Sequence, residues 1–261
     1  KVGGRLCGAR VRDHISGAEF SIKARGVINA AGPFVEQIRR LDDAAATPIL
    51  KAAAGIHIVL PKRFVPADTG MLIPKTEDGR VLFVLPWQGH ALIGTTDSPS
   101  EIVDHPQAKE EEVEYLLRHI NKYFDLSVTR SDVTSVWCGL RPLIQADEAA
   151  STAQLVREHL LQMSPSGLLS MAGGKWTSYR KMAEEAVDQA LTSFALRPPR
   201  PCQTEHLRLL GAEHFEPAGE RVLNQTYGLD ADVAEHLHHA FGDQAVAVAK
   251  LAESALGRRL H

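Results

Sequence analysis

Cysteine is scarce in this chain, with three in 261 residues, at positions 7, 138 and 202, and no CxxC pair. An odd and scattered set excludes a disulfide framework and a cysteine-based zinc site, and it fits a reducing compartment. Long hydrophobic runs are also missing, since no stretch approaches the roughly 18 apolar residues that cross a bilayer. Charge of one sign is not in excess: the formal net charge is −3, which argues against nucleic acid as a partner. The opening Lys1-Val2-Gly3-Gly4-Arg5-Leu6 has neither an initiator Met nor a signal peptide, and reads as the interior of a larger protein.

What is present is an ordinary globular composition, 44% hydrophobic and 23% charged, in a chain long enough to bury a core without disulfides or metals. The twelve histidines are dispersed. His236, His238 and His239 fall on a polar helical stretch, which predicts a solvated face rather than a metal site.

Along the chain, Leu6 to Arg12 and Phe20 to Lys23 read as a hairpin feeding a buried strand, Gly26 to Ala30. From Leu50 to Asp97 the pattern is almost entirely β: Gly55 to Pro61, Thr69 to Pro74, Arg80 to Pro86 and His90 to Thr95, predicting an antiparallel sheet. A helix is expected from about Lys109 to Phe124, entered through Glu110, Glu111 and Glu112, whose charge suits a helix N-terminus. Val133 to Gly139 and Leu155 to Met163 are strand-like. Gly167 to Ala172 then runs into Gly173-Gly174 and a helix from Thr177 to about Phe194. Beyond the Pro- and Arg-rich segment Leu196 to Pro201 the patterns are mostly helical. A sheet is thus inserted into an interrupted α/β unit, the order found in flavoproteins with a second domain spliced into a dinucleotide-binding one.

Two stretches carry a chemical signal. Val27-Ile28-Asn29-Ala30-Ala31-Gly32-Pro33 is a strand ending in small residues, which lets backbone approach a ligand at the strand's C-terminal edge; an ordinary strand and turn gives the same pattern. Ser170 to Arg180 places two glycines between a strand and a helix, leaving N–H groups bare at an end that attracts negative charge.

These stretches, with Gly55 to Pro61 (GIHIVLP), Leu85 to Asp97 (LPWQGHALIGTTD), Gly139 to Leu143 (GLRPL) and Gly173 to Arg180 (GGKWTSYR), make the chain resemble the FAD-dependent, quinone-linked glycerol-3-phosphate dehydrogenases of the amino-acid-oxidase-like flavoproteins. The resemblance spans about three quarters of the chain. It implies an α/β, mixed α+β fragment: part of an FAD domain at residues 1–43 and again at 160–194, a β-rich substrate domain at 44–159, and a helical C-terminal domain at 195–261. It further implies His57 and Arg141 as catalytic residues, and Arg141, Arg157 and Lys175 around the phosphate of sn-glycerol 3-phosphate. Ala31, Gly32, Gly173, Gly174, Lys175, Trp176 and Thr177 would lie against FAD. Electrons would pass to a quinone, from a position peripheral to the inner membrane on its cytoplasmic side, and a homodimer is compatible.

The residue chemistry agrees with that set, because a phosphate monoester carries nearly two charges and guanidinium forks can bind it bidentately. Each residue also has a structural alternative. Arg141, between Leu140 and Pro142, could close an ion pair; Arg157 could face solvent from a strand; His57 could be a satisfied core histidine. Asp97 is expected to cap a turn, and Trp87 and Trp137 to lie in a core or on a sheet face. The family's GxGxxG turn and its downstream acidic residue are absent from these 261 residues. The missing N-terminal part of the same protein would supply them, so the fragment alone is expected to bind FAD poorly. Two other classes fit less well: a flavoenzyme acting on an amine or a 2-hydroxy acid, and a non-catalytic interaction module.

Overall fold

The computed structural model describes residues 1–64, 69–145, 159–198 and 200–256. The chain divides into two compact units, Lys1–Pro199 and Arg200–His261.

Among the described residues the larger unit holds three sheets. The hairpin β1 (Gly8–Arg12) and β2 (Glu19–Lys23) stands alone. Next come β3 (Val27–Asn29), a 3-10 turn Gly32–Phe34 and helix α1 (Val35–Asp42). The helix was not foreseen. It is fastened by Glu36, whose buried carboxylate accepts hydrogen bonds from the Ile49 and Leu50 N–H groups at 2.6 and 3.1 Å and from Arg39 at 2.8 Å. Far along the chain, β10 (His159–Met163) pairs antiparallel with β11 (Leu168–Gly173), and β11 pairs in parallel with β3. Buried Asn29 joins the parallel pair, donating to Val35 O at 2.9 Å and to Ser170 Oγ at 3.3 Å.

Among the described residues β3 is the edge of that three-stranded sheet, with Ile28 exposed and Asn29 buried, so the expected buried strand is corrected to a partly buried one. Helix α3 (Tyr179–Ser193) starts two residues later than expected, after a 3-10 turn at Trp176–Ser178.

The third sheet is antiparallel throughout. It comprises β4 (Leu50–Pro61), β5 (Met71–Ile73), β6 (Leu82–Trp87), β7 (His90–Gly94), β8 (Ser98–Ser100) and β9 (Ser135–Ile144), and twelve-residue β4 is its spine. One edge of β4 pairs first with β8 over Ala52–Ala54 and then with β7 over His57–Pro61, while the other edge pairs with β9 along Leu50–Val59. The alanines, weak strand formers, are held extended by partners on both sides.

Alternation sends Ile56, Ile58 and Leu60 to one face, where they pack with Ile73, Leu82, Val84 and Ile93 beneath Val113, Leu116, Leu117 and Ile120 of helix α2 (Glu110–Phe124). That helix starts with Glu112 accepting the Lys109 N–H at 3.4 Å, the backward half of a capping box.

The smaller unit packs α4 (Gly219–Tyr227), α5 (Ala231–Phe241) and α6 (Ala245–Leu256) around Leu223, Ala234, Leu237, Ala245 and Ala249. His238 is 3% exposed, not solvated as expected. Its ring stacks on Phe215 at 4.5 Å, and a Cβ at Gly219 would lie 2.4 Å from it, so the missing side chain makes its room.

Candidate active site

The face of the β4 sheet turned away from α2 carries the candidate site. Cross-strand partners share a face, so the pairings Leu72–Phe83, Phe83–Gly94, Gly94–His57 and His57–Trp137 lay one row across it. Two pairings further along β4 and β9, past Gly55 and Gly139, Arg141 projects from the same face.

His57 lies over Gly94, where an added Cβ would come within 2.4 Å of the imidazole, and stacks on Trp137 with centroids 5.7 Å apart and planes 17° apart. Burial, and second the positive charge of Arg141, hold its pKa below the ordinary 6.5. The ring is therefore neutral at pH 7. Neither ring nitrogen has a hydrogen-bond partner among the described residues.

The Arg141 guanidinium crosses Gly55: a Cβ there would stand 2.4 Å from Nη2 and 2.5 Å from Nη1. It is gripped by the turn between β7 and β8. Nη1 donates to Asp97 Oδ1 at 3.0 Å, and Nη2 donates to Thr95 Oγ1 at 2.7 Å and Thr96 O at 3.1 Å. The expected turn cap at Asp97 is thus corrected: its carboxylate is the ion-pair partner of Arg141.

Gly173 and Gly174 have φ of +74° and +81°, a region closed to most side chains. A Cβ on Gly174 would also strike Met182 at 2.4 Å. Past them the Trp176 and Thr177 N–H groups find no acceptor among the described residues, and Trp176, 85% exposed, stacks on Tyr179 at 5.2 Å. Gly174, Lys175 and Trp176 face Leu140, Arg141, Pro142 and Leu143 across a cavity of about 370 Å³. The fold therefore brings two of the three expected phosphate ligands, Arg141 and Lys175, 34 positions apart in sequence, to one opening.

Ala31 and Gly32 follow the C-terminal end of β3. Because β3 and β11 are parallel, they lie at the same sheet edge as Gly173, and the turn that Gly32 starts touches both β9 and β11. Arg157 lies outside the described residues. A second cavity of about 290 Å³, bordered by Arg39, Asp42, Gln162 and Ser164, contains none of the expected site residues. Its polar groups are occupied with one another: Arg39 with Gln162, and Asp42 with Ser164 and Ser166. Trp137 and Trp87, half-exposed, are sheet-face residues. Sequence reading missed Thr95 and Thr96, for which the only signal was a Thr-Thr-Asp tract closing a strand.

Compared with known proteins, residues 3–180 match the family described as FAD dependent oxidoreductase, and residues 202–261 match the C-terminal domain of alpha-glycerophosphate oxidase. A Dictyostelium discoideum protein described as probable mitochondrial glycerol-3-phosphate dehydrogenase is 44% identical over 98% of this chain and 42% of its own length. The mouse mitochondrial glycerol-3-phosphate dehydrogenase is 42% identical over 98% of the chain and 35% of its own length. Among solved structures, the glycerol-3-phosphate dehydrogenase of Bacillus halodurans complexed with FAD superposes with a TM-score of 0.83 at 31% identity, covering 98% of this chain and 51% of that one. The chain thus spans between about a third and a half of the relatives it matches, and with a family match across most of its length it belongs to the FAD-dependent oxidoreductases.

Proposed function

We propose that the enzyme carrying this chain oxidises sn-glycerol 3-phosphate to dihydroxyacetone phosphate, with a quinone as final electron acceptor at a membrane surface. The observation that supports this most is the shared opening of Arg141 and Lys175, two cations beside a neutral histidine. Among the described residues no helix is long and apolar enough to cross a membrane.

The residues present fit FAD. Two glycines at positive φ, N–H groups at Trp176 and Thr177 without an acceptor among the described residues, and the Ala31-Gly32 end of β3 at the same sheet edge form a cradle suited to an electron-rich ring edge. When bound, FAD supplies the hydride acceptor. Lys175, which makes no ion pair among the described residues, adds positive charge at that edge and toward the phosphate.

Arg141 binds phosphate with what its turn leaves free. Of five guanidinium N–H groups, three are engaged by Thr95, Thr96 and Asp97. Nε–H and one Nη1 hydrogen remain, so a full bidentate fork is not available while the turn holds. His57, neutral and with ring nitrogens that have no partner among the described residues, accepts the C2 hydroxyl proton at one of them as hydride leaves C2.

The test is Arg141→Lys in an FAD-loaded enzyme containing this chain. The expected result is a loss of about 2 kcal/mol, roughly 30-fold, in kcat/KM for glycerol 3-phosphate. Inorganic phosphate should weaken as a competitive inhibitor, with little change for glycerol. Equal losses for both substrates would move the assignment to a 2-hydroxy acid or amine.

A further inference from the structure

Arg141 is held by a turn, and the turn is itself held from the opposite side of the sheet. Between the β8 and β7 pairings, β4 has a gap at Ile56, whose N–H finds no strand partner there. The Thr96 side chain, 0% exposed, fills it, with Oγ1 accepting the Ile56 N–H at 3.0 Å. An amide can only donate, so the threonine hydroxyl must send its own hydrogen elsewhere. It goes to Oε1 of Glu112 at 2.8 Å, on helix α2, and Ser98 Oγ donates to the same oxygen at 3.0 Å. Glu112 is 7% exposed and has no ion-pair partner among the described residues. A buried carboxylate without a cation is costly unless its hydrogen bonds are needed. Its two hydroxyl contacts, from Thr96 and Ser98, bracket Asp97, and Thr96 and Asp97 both grip Arg141.

We infer that Glu112 is a positioning residue for the phosphate-binding site, fixing the Thr95–Asp97 turn through Thr96 and so fixing the Arg141 guanidinium over Gly55. The inference rests on reading Arg141 as a phosphate ligand. The effect is geometric. The needed atom is an acceptor at Oε1, since Oε2 takes only the 3.4 Å bond from Lys109 N–H. A glutamine can therefore do most of the work, and an alanine cannot.

The experiment measures KM and kcat for glycerol 3-phosphate, and Ki for inorganic phosphate, in the FAD-loaded enzyme. Glu112→Ala is expected to raise KM and Ki together by about tenfold, the value of roughly one hydrogen-bond arrangement at the ligand, with kcat within twofold. Glu112→Gln should restore most of both. Thr96→Val cuts the same relay without touching α2, so it carries the test if Glu112→Ala does not fold. It should reproduce the KM effect, and the double variant should be no worse than either single one, the signature of one shared path. Unchanged KM and Ki in Thr96→Val, a loss confined to kcat, or a glutamine as poor as alanine would overturn the inference. If Arg141→Lys weakens phosphate and the Thr96 and Glu112 variants do not, only the positioning role falls. If Arg141→Lys also leaves Ki unchanged, the phosphate reading itself falls with it.

Discussion

Gly55→Ala isolates the slot in which Arg141 lies. Ordinary carbon contacts sit near 3.5–4.0 Å, whereas the new Cβ would stand 2.4 Å from Nη2, 2.5 Å from Nη1 and 2.6 Å from Thr95 Oγ1. The guanidinium must move by about 1 Å, which breaks bonds that are only 2.7–3.1 Å long. The three lost bonds are worth about 0.5–1.5 kcal/mol each. The ion pair with Asp97 adds little more, because side chains 32% and 24% exposed are screened by water. Replacing a strand glycine returns about 0.5–1 kcal/mol, leaving a net destabilisation of about 2 kcal/mol. With a urea slope of about 2–3 kcal/mol/M, the midpoint should fall by roughly 0.7–1 M. Tryptophan fluorescence reads it directly, since Trp87, Trp137 and Trp176 all belong to the larger unit. Gly139→Ala, directly across the ladder with nothing within 4 Å of the new Cβ, is the matched control and should be neutral or slightly stabilising. Equal midpoints for the two variants would refute the argument that Gly55 is reserved for Arg141.

Two other perturbations follow from the same face and its support. The depressed pKa of His57 means that the unfolded chain binds this proton more readily than the folded one, so stability is full above pH 6.5 and declines as pH falls through and below that value. His57→Gln should flatten that decline in urea midpoints measured between pH 5 and 7.5, and a slope identical to the parent's would remove His57 from the titration. Leu116→Ala, at a fully buried position of α2 against the sheet, should cost about 3 kcal/mol by urea unfolding, and a cost under 1 kcal/mol would show that α2 is not packed as described.

Much of the sheet was legible because its apolar runs are punctuated by Pro and Gly. Ile56-His57-Ile58 reads as a strand with the histidine facing away from the isoleucines, and that is the arrangement found. The glycine pair after β11 was equally plain, since few residues other than glycine adopt φ of +74° and +81°. Other features were hidden for physical reasons. Strand β9 continues past Gly139 through Pro142 because β4 offers a partner as far as Leu50, a fact about pairing rather than propensity. Helix α1 is short and depends on Glu36 reaching residues 13 and 14 positions away. The grip of Asp97 on Arg141 spans 44 positions, and nothing local in a Thr-Thr-Asp tract announces it. His238 belongs to a His-rich stretch, and the missing side chain of Gly219 reveals where it is buried.

The parallel pairing of β3 with β11 also bears on the order in which the chain can assemble. Its ends are 141 residues apart at the Asn29–Ser170 bond, whereas β6 and β7 are joined by Gln88-Gly89 alone, both at positive φ as a tight hairpin requires. For a flexible chain, closing the longer loop costs roughly 4 kcal/mol more. The β4 sheet moves most of that cost to its own β4–β9 pairing. Its Leu50–Ile144 pair sets the entry to β4 beside the exit from β9, so once the sheet exists the segments leading back to β3 and on to β11 start from adjacent points. The inserted sheet is then a clamp on the unit it interrupts: its own Val59–Ser135 pairing spans 76 positions, but once it stands it turns a distant encounter between two short strands into a local one.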